Sequence, residues 1–584
     1  MGWGSTAGGG EGRSVPTSQA AVRGPLSARS LVAAWWLLTA DYCLHMAKIH
    51  GGQIIARALK YEGVDTIFTL TGGHIVAILD GCVQEGIRVV DVRHEQAAIH
   101  AAEAYYRLTG KLGVAAVTAG PGVTDAITGV ANAWFSGAPV LLLGGRHFIR
   151  QELKGGLQEM DHPRLFRSIT AWAATAWETN RLADYIATAS RHAFSGRGAP
   201  VFLDVPMDVQ FDLVEESTIS WPEGHRPSPP GASANDVAEV AARLSQSERP
   251  VVFAGCGLKG QAELRRFAGF LQAPVYLSGN ARGALPYGHP LLGSRRRSMA
   301  FADADLVLAL GVDWDFRTGY GQRIHAHAHI VQVDADPTKV GWNRPAHTAL
   351  TADPARFLAE LNEVAELYAR TDVRRWTQDI MDEENAAQVQ AEQEAESDAS
   401  PVHPERFARE VADYFADSII SLDGGDIVST TAKWLRPADQ GDVLVAGAFG
   451  TLGTGAPFAL AAQVVHPDRR VGIVFGDGAF GFNGMEFDTF VRLGLPVIGV
   501  IGNDGVWNNI KTFHRAFYPD RLVATDLGVR PYHLMVEGLG GYGEFVDRPD
   551  EIRPALERAA ASSKPALVNV HIAETFRASS NYAQ

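Results

Sequence analysis

Short apolar runs punctuate this chain, each closing on a glycine-rich or polar turn and each followed by a stretch of helical periodicity. In the first third they fall at residues 66–70, 89–92, 114–117 and 139–143, with amphipathic or alanine-rich segments between them. A second group lies at 250–254, 305–312 and 329–334, and a third at 471–475 and 497–501. Uninterrupted apolar runs alternating with 3.6-residue periodicity predict buried strands in parallel βαβ units rather than half-exposed hairpins. The predicted class is α/β, with three doubly wound parallel-sheet domains. In such sheets ligands bind beyond the carboxyl ends of the strands, which directs attention to the turns.

Breaks in the pattern divide the chain. We expect domains at 46–207, 235–375 and 405–584, a proline- and glycine-bearing linker at 208–234, and an acidic, solvated helical linker at 376–404. A length of 584 residues suits about three domains. Residues 1–45 read as a disordered tail or an overlong gene start. Their apolar run at 31–40 is too short to span a bilayer, and an export signal is the weaker alternative.

One unit occurs twice. Strand, Gly120-Pro121-Gly122, helix, Pro139 and strand match strand, Gly476-Asp477-Gly478, helix, Pro496 and strand. Related domains at the two ends would explain this, although βαβ units share such periodicity by chance. Only the second copy has an acid, Asp477, on the turn.

Composition narrows the function. A net charge of −14 argues against a nucleic-acid or anionic-membrane surface. Cys43, Cys82 and Cys256 are far apart, without metal-ligand spacing, and fit a reducing cytoplasm. The middle domain reads as Rossmann-like, and ADP, FAD or no nucleotide are all open for it. Asp334, at a strand end, could meet a ribose.

Asp477 and Asn503 project from neighbouring carboxyl-edge turns, 26 positions apart. Their oxygens suit Mg²⁺, and the glycines let backbone N–H groups approach a diphosphate. Asp477 as a plain helix cap is the bland alternative. The complete arrangement resembles the thiamine diphosphate motif of the pyruvate decarboxylase and acetolactate synthase superfamily, with Gly502 where that motif has its first Asn. The resemblance extends over most of the chain from Met46 to about Val570. It implies a pyrimidine-binding first domain and a diphosphate-binding third domain, with Asp477, Asn503 and the Gly505 carbonyl on Mg²⁺. Gly425, Asp426, Gly476, Gly478, Ala479, Val506 and Trp507 would line the coenzyme. Gly450 would accept from its amino group, and Leu452 would wedge between its rings.

The same resemblance assigns Glu95, in Arg93-His94-Glu95, as the acid at the pyrimidine, reached across an interface in a homodimer or homotetramer. On position alone, Glu95 would only stabilise a helix N-terminus. His74 is the candidate acid–base group at the substrate or a hydrogen-bonded bystander; His94, Asn508, Asn509 and His514 are further polar groups nearby. Glu486 would support the metal loop. Arg295, Arg296 and Arg297 either meet coenzyme A phosphates or are solvated surface.

Segments such as Gly478–Glu486 are similar to 2-hydroxyacyl-CoA lyases and oxalyl-CoA decarboxylase, and Gly72-Gly73-His74 to benzaldehyde lyase. The favoured activity is therefore 2-hydroxyacyl-CoA cleavage to a carbonyl and formyl-CoA, with acyloin cleavage or formation second and acetolactate synthesis third. The substrate is a small molecule; no nucleic acid or membrane partner is expected. A non-catalytic nucleotide-binding homologue is the reading from another class. The C-terminal residues 574–584 are a candidate lid.

Overall fold

A computed structural model describes residues 48–222 and 228–575. The expectations for residues 1–45, and for most of the C-terminal tail, fall outside these residues.

Three sheets of six parallel strands carry the chain. In the first, the strands stand in the order Arg88–Asp91, Thr66–Leu70, Gly113–Val117, Val140–Arg146, Pro200–Pro206, Trp172–Thr175. In the last, the order is Val443–Val445, Ile419–Asp423, Val471–Gly476, Ile498–Asn503, Ala566–His571, Tyr542–Val546. Numbered within each sheet, both read 2-1-3-4-6-5. The repeated glycine turn thus belongs to a repeated topology: in each copy it follows the third strand and opens a helix, Pro121–Asp125 or Asp477–Asn483. The middle sheet reads 3-2-1-4-5-6, the Rossmann order.

The end domains share one apolar core. The helix Glu95–Thr109 packs along the helix Gly455–Val465, and both are buried almost throughout. Their faces are largely alanine (Ala97, Ala101, Ala104; Ala459, Ala461, Ala462), so the two backbones approach closely without voids. Enrichment in alanine, which the sequence shows as weak amphipathicity, reflects a helix buried on all sides. Arg107 crosses this interface, its guanidinium 4.9 Å from the Phe458 ring and donating to the Val445 carbonyl at 2.6 Å.

The acidic segment expected as a solvated linker is instead the helix Arg375–Glu394, with one face on the middle domain. Ile380 and Met381 enter that domain's core. Glu384 is buried and accepts from the backbone N–H groups of Ser294, Arg295 and Arg296 at 3.2, 2.8 and 2.7 Å, and from the Tyr276 hydroxyl at 3.0 Å. High charge hid this face, because a buried carboxylate with four donors is indistinguishable in sequence from a solvated one.

Candidate functional site

In the third domain the crossovers change direction between strands Ile419–Asp423 and Val471–Gly476, the place where doubly wound sheets bind ligands. A cavity of about 370 Å³ opens there. Gly425, Asp426, Gly450, Leu452, Gly476, Asp477, Gly478, Ala479, Val506 and Trp507 all line it, so residues from four separate turns meet there. Asn508 and Asn509 line it as well, whereas His514 sits on an exposed part of the next helix, 3.4 Å from the Arg521 carbonyl.

The walls are held rigidly. Asp423, buried at the end of its strand, accepts from the N–H groups of Gly453 and Gly455 at 3.0 and 2.8 Å, and Asn483 donates to the Gly453 carbonyl at 2.6 Å. The loop that carries Gly450 and Leu452 is thereby fixed from two sides. Gly478 must lack a side chain: a Cβ there would lie 2.3 Å from the Trp507 ring.

Two buried oxygens at these turns lack a hydrogen-bond partner among the described residues. Asp477 is buried; its Oδ1 accepts from the Gly478 N–H at 2.8 Å, while Oδ2 has no hydrogen-bond partner among the described residues. Asn503 donates through Nδ2 to the Arg530 carbonyl at 3.1 Å and to Asn569 Oδ1 at 3.0 Å, which leaves its Oδ1 likewise unpaired. Burial pushes the Asp477 carboxyl up to about 6. Burial and the Asp477 charge together push neighbouring Asp504 up to about 7. Buried Asp477, half-buried Asp504 and the unpaired Asn503 amide oxygen are hard oxygen donors of the kind that suits Mg²⁺. Gly505 departs from expectation, because its carbonyl already accepts from the N–H groups of Leu527 and Gly528 at 2.7 and 2.8 Å. Both lone pairs are engaged, so the geometry does not offer it as a ligand.

Glu95 and His74 do not line this cavity; they form a separate cluster at the carboxyl edge of the first sheet. Glu95 is the buried first residue of its helix, behind His94, whose Nδ1 accepts from the Gln96 N–H at 3.1 Å. Burial raises the Glu95 pKa, a hydrogen bond from its own backbone opposes this, and the Asp125 charge adds to the rise. A Cβ at Gly122 would lie 3.3 Å from Glu95 Oε1 and 2.8 Å from the Thr118 methyl, so only glycine lets this turn close on the acid. His74, also buried, meets the Thr118 hydroxyl at 3.0 Å, and burial lowers its pKa.

A buried relay steadies this cluster, and sequence reading missed it. The Gly120 N–H donates to His162 Nε2 at 3.0 Å, which places the ring proton on Nδ1, facing Asp204 at 2.9 Å. Asp204 also accepts from Arg146 at 2.7 Å, and Arg146 bonds Glu152 at 2.8 Å. Gln158, close to Gly120, has a left-handed backbone (φ 59°), a strained state for a residue with a side chain.

Several other expectations change. Asp334 is fully buried and bonded by Arg197, which also bonds Asp313 at 2.9 Å, so no free carboxylate remains there for a ribose. The basic run does not line the cavity: Arg297 donates to the Arg317 carbonyl and lies over Phe253, Arg295 lies over Trp434, and Arg296 stays half-exposed. Glu486 makes its hydrogen bonds with Thr489 and the first domain, not with the metal loop.

The chain matches three family models: thiamine pyrophosphate enzyme N-terminal TPP-binding domain over residues 49–165, central domain over 237–361, and C-terminal TPP-binding domain over 423–570. It is 38% identical to an acetolactate synthase large subunit of Mycobacterium tuberculosis, across 89% of this chain and 95% of that protein. It is 35% identical to 2-hydroxyacyl-CoA lyase 2 of Bos taurus and of Homo sapiens, across 90% of each chain. Three matched domains, each on its own parallel sheet, establish that the chain belongs to the thiamine pyrophosphate enzyme family.

Proposed function

We propose that this enzyme is a 2-hydroxyacyl-CoA lyase, cleaving the C1–C2 bond of a 2-hydroxyacyl-CoA to give an aldehyde or ketone and formyl-CoA, reversibly. The observation that carries this reading is the cavity wall, in which no Lys or Arg occurs among the described residues. Leu452, Trp507, Ile510 and Phe513 supply its apolar part. A free 2-oxo acid would bring a carboxylate with no cation to meet it, an uncompensated burial of charge. The reacting carbonyl of a coenzyme A thioester is uncharged, and the phosphates of coenzyme A lie at the far end of its long arm. The mycobacterial relative's name supports a second reading, acetolactate synthesis from two 2-oxo acids.

Asp477 Oδ2 and Asn503 Oδ1 would hold Mg²⁺, and backbone N–H groups at the Gly425 and Gly478 turns would meet the diphosphate. With no cationic side chain in the described wall, metal and backbone must neutralise it together. When bound, thiamine diphosphate supplies a carbon that stores the electron pair of the broken carbon–carbon bond. Glu95, whose pKa is raised by burial and by the Asp125 charge, would share a proton with the coenzyme's pyrimidine. His74, neutral because burial lowers its pKa, accepts the substrate's 2-hydroxyl proton, and that proton is finally balanced by the new formyl C–H.

Since Glu95 and His74 do not line the cavity, a second copy supplies them. Trp134, Phe135, Phe449, Phe482 and Met485 are exposed, Phe135 stacks on Phe449 at 4.9 Å, and Phe482 and Met485 directly adjoin the Asp477 turn. Such a cluster beside a half-built site suits burial between protomers of a homodimer or homotetramer. No helix among the described residues is long and apolar enough to cross a membrane, and Cys82 and Cys256 are free thiols; we place the enzyme in the cytoplasm.

The deciding experiment supplies Mg²⁺ and thiamine diphosphate, then compares formyl-CoA release from a 2-hydroxyacyl-CoA with acetolactate formation from pyruvate and with benzoin cleavage. Formyl-CoA as the fastest product supports the proposal; faster acetolactate or benzaldehyde formation refutes it.

A further inference from the structure

Glu486 opens the helix Glu486–Leu493, and only 1% of its surface is exposed. Phe487 and Phe490 beside it belong to the core shared by the end domains. One carboxylate oxygen accepts from the Arg93 backbone N–H at 2.9 Å, the other from the Thr489 hydroxyl at 2.6 Å. Parallel ties flank this contact: Arg492 bonds Asp91 at 2.8 Å, and Arg93 lies 3.5 Å from Asp488. All three converge on residues 91–93, the strand-end turn that leads into Glu95.

Burying an acid here is costly, and burial pushes its carboxyl up to about 7. Fold stability alone would be better served by an apolar side chain, since the exposed pair Arg492–Asp91 already joins the same two elements. What only Glu486 supplies is an acceptor for the Arg93 N–H, two residues before the catalytic acid.

We propose that Glu486 is a positioning residue for Glu95, fixing the Arg93–Glu95 turn from the helix that follows the metal-binding turn of the same chain. The inference rests on the role proposed above for Glu95. If Glu95 serves the coenzyme of the partner copy, Glu486 links the diphosphate turn of one site to the acid of the other. Its Oε1 makes the side-chain-to-backbone hydrogen bond from helix Glu486–Leu493 to Arg93, and its Oε2 is held by Thr489 one turn along the same helix.

The test compares the full-length wild type with Glu486→Ala and Glu486→Gln. Amide hydrogen exchange at residues 93–95 is followed without coenzyme or substrate, and kcat, KM and Mg²⁺ affinity are measured on the loaded enzyme. Glu486→Ala should speed exchange about tenfold and lower kcat about tenfold, with KM and Mg²⁺ affinity within about twofold of wild type. Glu486→Gln keeps an acceptor for Arg93 and can donate to Thr489, so it should restore both. Unchanged exchange in Glu486→Ala overturns the proposal. So does a kcat loss that Gln fails to rescue or that is matched by an equal loss of Mg²⁺ affinity. Should wild type show no lyase turnover, the exchange comparison still stands, and kcat is read with whichever substrate it does accept.

Discussion

Asn503 keeps its carbonyl oxygen unpaired because its amide nitrogen is engaged twice, by the Arg530 carbonyl and by Asn569. Asn569 is itself fully buried and donates to the same carbonyl at 2.8 Å. An amide free to flip would present N–H to the metal half the time. Replacing Asn569 by Ala should therefore weaken Mg²⁺ binding about 10- to 100-fold without touching the metal, a loss that titration calorimetry would register. Unaltered affinity would show that the flip is prevented by something else. Glu95 illustrates the complementary case, in which neighbours shift the pKa of the residue upward rather than fix its orientation. Asp125 on the facing turn and burial beneath Gly122 act in the same direction.

Among the elements, the helix Arg375–Glu394 contributes most through a single acid. Glu384 satisfies three consecutive backbone N–H groups and the Tyr276 hydroxyl, fixing the start of the segment that holds Arg295 and Arg297. Removing it strands the buried Tyr276 hydroxyl and three partly buried N–H groups, at about 1–3 kcal/mol for each one that water cannot reach. Glu384→Ala should lower the thermal midpoint by several degrees while leaving Mg²⁺ affinity at Asp477 unaltered, because the helix lies on another domain. Differential scanning calorimetry against metal titration checks both halves. The twin helices Glu95–Thr109 and Gly455–Val465 act differently: their alanine faces bring the end domains together, and this contact sets where residues 91–93 meet Glu486.

At the scale of the molecule, two half-sites lie on separate domains, and a second chain completes them in the proposed assembly. Mixing inactive Glu95→Ala with inactive Asp477→Ala should then restore about one quarter of wild-type activity, since half the random dimers carry one intact site of two. No recovery after subunit exchange would place both halves of the site within one chain. The buried acid between the end domains also gives a pH signature. The folded Glu486 carboxyl sits at about 7, above its ordinary range, so its contribution to stability is full at low pH and is lost as pH rises toward about 7. Glu486→Gln has no such loss. The melting-temperature difference, Gln variant minus wild type, should accordingly grow between about pH 5 and about pH 8; a flat difference would refute the raised pKa.

Alternation of apolar runs with helical periodicity, and the glycine turns between them, determined the α/β class, the duplicated unit and the turns that line the cavity. Those signals are legible because they are local: side-chain spacing selects strand or helix, and a turn needs its glycine on the spot. The proposed metal pair, Asp477 and Asn503, likewise stands at the ends of adjacent strands. Tertiary structure alone decided the partners. Arg93 meets Glu486, Gly120 meets His162, Arg197 bonds Asp334, and the Gly505 carbonyl is taken by Leu527 and Gly528. Each of these depends on which distant groups sheet order and domain packing bring within hydrogen-bond reach, and no short-range pattern along a chain encodes that distance.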